Sequence, residues 1–142
     1  MDLTTFLIVI VVFLSWGVST FIAKLATNRI GAQSVFWDML TYTPIVIILS
    51  LIIFKLENIL RAARLDKFGV GLAVLAGVIG SFGLIGYYVL LTREEASTIV
   101  PLTALYPALA AALAIIFLHE SLTPTKLLGI ILSLIAIYFL SK

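Results

Sequence analysis

Residues 3–23 carry no charged side chain, and neither do residues 68–92 or 96–118. An α-helix rises ~1.5 Å per residue, so a run of ~20 apolar residues crosses the ~30 Å hydrocarbon core of a bilayer. Three such runs in a chain of 142 residues constrain the fold more than any other feature. Two further runs complete the pattern. Ser34 to Phe54 is interrupted only by Asp38, and Thr125 to Leu140 only by Lys126. The spacing predicts an all-α integral membrane protein of five transmembrane helices, over about residues 3–26, 34–54, 68–92, 96–118 and 125–140. Together they form a single domain covering residues 1–142. Lys126 and Lys142 are placed to snorkel from the ends of the short fifth run.

Composition agrees. Hydrophobic residues make up 63% of the chain and charged residues 11%, and mean hydropathy is +1.25. A soluble domain of this size buries only part of the surface its unfolded chain exposes and could not hide so much apolar area, whereas lipid covers it. No cysteine is present, which excludes disulfides and thiolate metal sites. The net charge of +2 comes from residues in the gaps between runs and is not a nucleic-acid footprint. Residues 3–23 exceed the apolar core of a signal peptide and are preceded by Asp2 rather than by Lys or Arg, so the first run is expected to be a retained helix.

The joints carry helix punctuation. Asn28 to Gly31 reads as a short turn, and Thr92 to Ser97 as a tight one. In the Lys55–Lys67 segment the spacing of Lys55, Glu57, Arg61 and Arg64 suits an interfacial amphipathic helix. In His119 to Pro124, Thr123 is expected as N-cap and Pro124 as the first helical residue.

Within the membrane, Gly77, Gly80, Gly83 and Gly86 recur every three residues in the third run. Lipid gives helices no hydrophobic reason to associate, so close backbone packing at small residues must supply much of it. Pro44, Pro101 and Pro107 each remove a backbone donor inside an apolar run. Such breaks persist where protein or a cavity satisfies the freed carbonyl.

Polar and aromatic residues at bilayer depth are the candidates for function. Trp16 lies mid-helix, where an interfacial aromatic belt does not account for it. Ser15 and Ser19 share a face of the first run, as do Trp16 and Ser19. Trp16, Ser19, Tyr42, Ser81 and Tyr106 are the expected substrate-lining residues. Trp37, Tyr87 and Tyr88 stand nearer helix ends and are read as belt anchors. Asp38 is the only acidic residue within a run and is read as a carboxylate near a helix N-terminus, which the helix dipole favours. Lys24 is read as a snorkelling end residue. His119–Glu120 lacks the second histidine that zinc chemistry would need, since position 123 is Thr123. No nucleotide loop, serine elbow or dinucleotide fingerprint occurs. An enzyme is not expected, nor a cofactor or a bound metal.

Five spans put the termini on opposite sides. Lys55, Arg61, Arg64, Lys67 and Lys126 fall on the side of the N-terminus, and Lys24, Arg29, Arg93 and Lys142 on the other. Five against four is a weak positive-inside bias, as a chain inserting both ways round would show. Many transporters consist of two halves of inverted topology with the substrate between them, and one five-span unit reaches that arrangement as an antiparallel homodimer.

The segment PLTALYPALAAALAIIFLHESLTPTKLLGIILSLIAIYFLS resembles the end of an EamA domain of the drug/metabolite transporter superfamily. The matching features are Pro101, Pro107, Glu120, Leu122, Thr123 and Gly129. SWGVSTFIAKLA, with Trp16, Gly17 and Lys24, is similar to the family's first helix. The resemblance covers nearly the whole chain. It implies half of an inverted-repeat secondary transporter, exporting small metabolites across the inner cell membrane without ATP, with a second copy as partner. Asp38 departs from the basic residue the family often has early in helix two. The related small multidrug resistance proteins have four helices and a glutamate in helix one, which this chain lacks. Two other readings stay open: a subunit of a lipid or lipid-linked-sugar flippase, and a membrane partner subunit that transports nothing.

Overall fold

A computed structural model describes residues 2–104 and 106–140, Leu140 by its backbone alone. The described residues are almost entirely helical and include no strand. The elements are α1 (Leu3–Ile30), a 3-10 turn (Gly31–Gln33), α2 (Ser34–Phe54), α3 (Leu56–Leu65), α4 (Lys67–Arg93), α5 (Ala96–Thr103), α6 (Tyr106–Phe117) and α7 (Pro124–Leu140). They fall into two compact units divided between Thr92 and Arg93.

Three stretches are long and apolar enough to cross a membrane: Leu3–Phe54, Lys67–Arg93 and Ala96–Phe117. The first contains both α1 and α2 with the turn joining them, and each of the two is of spanning length alone. Pro124–Phe139 is apolar but shorter.

In the first unit, Asp2 caps α1, its Oδ1 accepting the Thr5 N–H at 2.8 Å. α1 runs four residues beyond the expected end at Ala26 and takes in Asn28 and Arg29. It stops at Gly31, whose N–H reaches the Thr27 carbonyl and whose φ of 72° belongs to glycine. The chain leaves α2 through Lys55, at φ 58° and ψ 136°, which turns it directly into α3. α3 sets Leu56, Ile59, Leu60 and Ala63 on one face and Glu57, Asn58, Arg61 and Arg64 around the other, the pattern of a helix lying in an interface. Asp66 then caps α4, its Oδ1 accepting the Gly69 N–H at 2.8 Å.

The glycines of α4 do not share one face. Three residues fall about 60° short of a full turn, so Gly77 to Gly86 wind half way round the helix. A Cβ added at Gly77, Gly80, Gly83 or Gly86 would meet nothing within 4 Å.

In the second unit the expected helix over 96–118 is divided into α5 and α6. Pro107 explains the division: it has no N–H for the residue 103 carbonyl, and its ring crowds that carbonyl. Thr103 Oγ1 turns back to the Ile99 and Val100 carbonyls, at 2.8 and 3.1 Å. α7 begins at Pro124, and Thr123 Oγ1 accepts the Lys126 N–H at 3.2 Å. Lys142 lies outside the described residues.

Candidate functional site

The C-terminal end of α1, the N-terminal end of α2 and the C-terminal end of α4 come together, and the packed core of the first unit is there. Its buried residues are Thr27, Ser34, Tyr88 and Leu91. The two hydroxyls are buried without loss because each is satisfied locally. Thr27 Oγ1 donates to the Lys24 carbonyl, and Ser34 Oγ to the Gly31 carbonyl, both at 2.9 Å. Away from this end, residues 3–19 of α1 and 70–83 of α4 are exposed along their length, as surface for lipid or another chain must be.

Polar contacts tie α4 to the other helices here, among them a side-chain hydrogen bond between Tyr87 and Thr20 of α1. Lys24 Nζ donates to the Leu91 carbonyl at 2.6 Å. Leu91 stands in the last turn of α4, where carbonyls lack intrahelical donors and the dipole favours a cation. Tyr88 Oη donates to Asp38 Oδ2, also at 2.6 Å.

Beside this cluster lies a groove of about 690 Å³ in the crook of α1 and α2. The wall from α1 includes Ser15, Ser19, Ala23 and Ala26 at helical spacing, with Ile22 between. The wall from α2 is Ser34, Trp37, Asp38 and Thr41, also at helical spacing, and Tyr88 joins them from α4. Thr41 Oγ1 is engaged with the Trp37 and Asp38 carbonyls, at 3.1 and 2.9 Å. Asp38 is the only charged residue of the lining.

Of the residues expected to line a substrate path, Ser19 stands in this groove. Trp16 is the next turn's neighbour on α1 and faces outward, 61% exposed. Tyr42 is exposed on α2, beyond the groove wall. Ser81 on α4 donates to the Gly77 carbonyl at 2.8 Å. Tyr106 opens α6 in the second unit and is exposed. Within the first unit, Ser19 lines the groove while Trp16, Tyr42 and Ser81 do not. Tyr88, expected in an aromatic belt, is instead 3% exposed and bonded to Asp38. The signal for the α2 wall was present in the sequence: four polar or aromatic residues at 34, 37, 38 and 41 on one face of an apolar helix.

The second unit has a smaller hollow of about 330 Å³ between α6 and α7, under the Glu120–Leu122 loop. Lys126 Nζ donates to the Ser121 carbonyl there, at 3.1 Å. No group of three His, Cys, Asp or Glu side chains that could hold a metal occurs among the described residues.

The profile of the EamA-like transporter family matches residues 3–142. An uncharacterized protein of Methanocaldococcus jannaschii, MJ1333.1, is 32% identical over 138 residues, which cover 97% of this chain and 96% of that protein. No solved structure matches the chain. With apolar helices of spanning length and a family profile over nearly every residue, the chain is a multi-pass membrane protein that belongs to the EamA-like transporter family.

Proposed function

We propose that the chain is a secondary transporter that exports small metabolites across the cell membrane, two copies of opposite orientation pairing around the transport path. The observation that carries this reading is the groove of α1 and α2: a largely apolar recess into which five hydroxyl side chains and one carboxylate are set, on helices apolar enough to cross a membrane. Ionisable residues within membrane helices mark substrate and ion pathways more often than they serve structure. On this reading five segments cross the bilayer: α1, α2, α4, the α5–α6 pair and α7.

Pairing is supported by three features. The Lys and Arg residues divide almost evenly between the two sides. The exposed lengths of α1 and α4 offer surface to another helix. The Methanocaldococcus relative is matched over 96% of its own length, so that protein is itself a single unit of this kind. Inverted halves with the site between them then give alternating access by rocking of one copy against the other. Ser19 contributes from the groove, and Trp16, Tyr42, Ser81 and Tyr106 line the path that the paired copies enclose.

Reporter fusions at Met1 and at Lys142, expressed in bacteria in separate copies, test the pairing. Each terminus reporting on both sides supports inverted copies. Met1 reporting only inside and Lys142 only outside removes the self-inverted pair. Solute flux in proteoliposomes tests transport itself, and its absence for every small solute tried would favour a partner subunit.

A further inference from the structure

We infer that the groove of α1 and α2 takes an organic ammonium ion, with Asp38 as its counter-charge. This inference rests on reading that groove as the substrate site. Asp38 is the only charged side chain among the lining residues, so the recess is negative wherever the carboxylate is ionised. The nearest cation in sequence on the facing helix, Lys24, is turned to the Leu91 carbonyl. Among the described residues, Asp38 receives one side-chain hydrogen bond, from Tyr88 Oη to Oδ2, and no Lys, Arg or His pairs with it. A carboxylate has room for about four such bonds. On the reading that the groove lies at membrane depth, a half-buried carboxylate with one neutral donor has acceptor capacity left, and a cation in the groove fills it.

The neighbours of Asp38 fit the same ligand. Trp37 adjoins it on the groove wall, and an indole face attracts an ammonium through its quadrupole. Ser15 and Ser19 hydroxyls face the groove one turn apart on α1 and bind no other described residue, so they are available to a polar tail. Ile22, Ala23 and Ala26 continue that wall and receive an apolar body. A small amphipathic ammonium compound matches this sequence of surfaces. A carboxylate or phosphate compound would bring like charge to Asp38.

The test is binding of radiolabelled choline to the full chain in lipid nanodiscs. Competition by 3,3-dimethylbutan-1-ol, its neutral carbon isostere, and by 3,3-dimethylbutanoate, the anion of matching shape, supplies the charge series. The expected result is saturable choline binding, with the alcohol and the anion weaker by about tenfold or more. Asp38→Asn, which keeps an acceptor for Tyr88, should weaken choline by a similar factor, and Asp38→Glu should retain it. Ser19→Trp, which fills the groove, should abolish binding. Failure of choline to bind, equal binding of the alcohol, or an Asp38→Asn variant that binds choline as tightly as the parent overturns the inference. If the anion binds best and Ser19→Trp removes it, the groove is the substrate site and only the ammonium assignment falls. If Ser19→Trp changes none of the three, the groove reading fails, and the inference with it.

Discussion

The ammonium of Lys24 on α1 donates to the carbonyl of Leu91 on α4, a residue 67 positions further along the chain, at 2.6 Å. The contact joins a cation to the negative end of a helix in surroundings where Leu91 is fully buried. Lys24→Met keeps the apolar stem and removes the donor. It should destabilise the folded state by about 1.5–3 kcal/mol, the range for a hydrogen bond to a charged group. Lys24→Arg should recover part of the loss. Unfolding in detergent micelles, followed by far-ultraviolet circular dichroism, reads the difference. An unchanged Lys24→Met protein would show that the contact does not hold α4 in place.

Asp38 and Tyr88 form the second tie and allow a cleaner measurement, because each partner has a near-isosteric replacement. Tyr88→Phe and Asp38→Asn, alone and combined, make a double-mutant cycle. The coupling energy should fall at about 0.6–1.7 kcal/mol, from the average to the maximum found for side-chain hydrogen bonds between membrane helices. Zero coupling would mean that the bond does not survive in the bilayer.

Much of the fold was legible because local chemistry determines it. Thr123 and Pro124 announced the start of α7, and the 3.6-residue spacing of charges announced α3. The division of α5 from α6 is not legible in the hydropathy pattern, although Pro107 stands at it. Hydropathy averages over side chains and does not register a missing backbone donor. The site was legible only in part. Ser19 could be found as a polar residue at depth. The pairing of Asp38 with Tyr88, and of Lys24 with Leu91, depends on how three helices rotate against one another. Nothing in a separation of 50 or 67 residues encodes that. The same limit sent Tyr88 to an aromatic belt, since position along a helix says how deep a side chain lies but not which way it faces.

Two turns in the first unit should respond in opposite directions to changes at a single backbone. Gly31 has φ 72° and ψ −165°, a region that only glycine enters freely, and an added Cβ would press on the Gln33 side chain. Gly31→Ala should cost about 1–3 kcal/mol. Lys55 has φ 58° and ψ 136° with a side chain in place. Lys55→Gly should relieve strain and stabilise by about 1 kcal/mol, less the entropy of a freer unfolded chain. The same micelle unfolding assay measures both. A destabilised Lys55→Gly protein would show that the charged stem contributes more than the strained backbone loses.

The first turn of α1 should loosen in acid. Hydrogen bonding from Thr5, through its hydroxyl and then its backbone N–H, holds the Asp2 carboxyl below its ordinary value of 3.8. A carboxyl lowered in the folded state stabilises it at pH above the unfolded value, and that contribution is lost as pH falls through the folded one. Amide exchange at Thr5 should therefore stay slow down to about pH 4 and gain protection loss only below it, once the intrinsic pH dependence of exchange is divided out. Asp2→Asn keeps a capping oxygen and removes the titration, so its Thr5 amide should lose no protection over that range. A parent protein whose Thr5 protection is equally flat with pH would show that Asp2 does not cap α1 in the membrane.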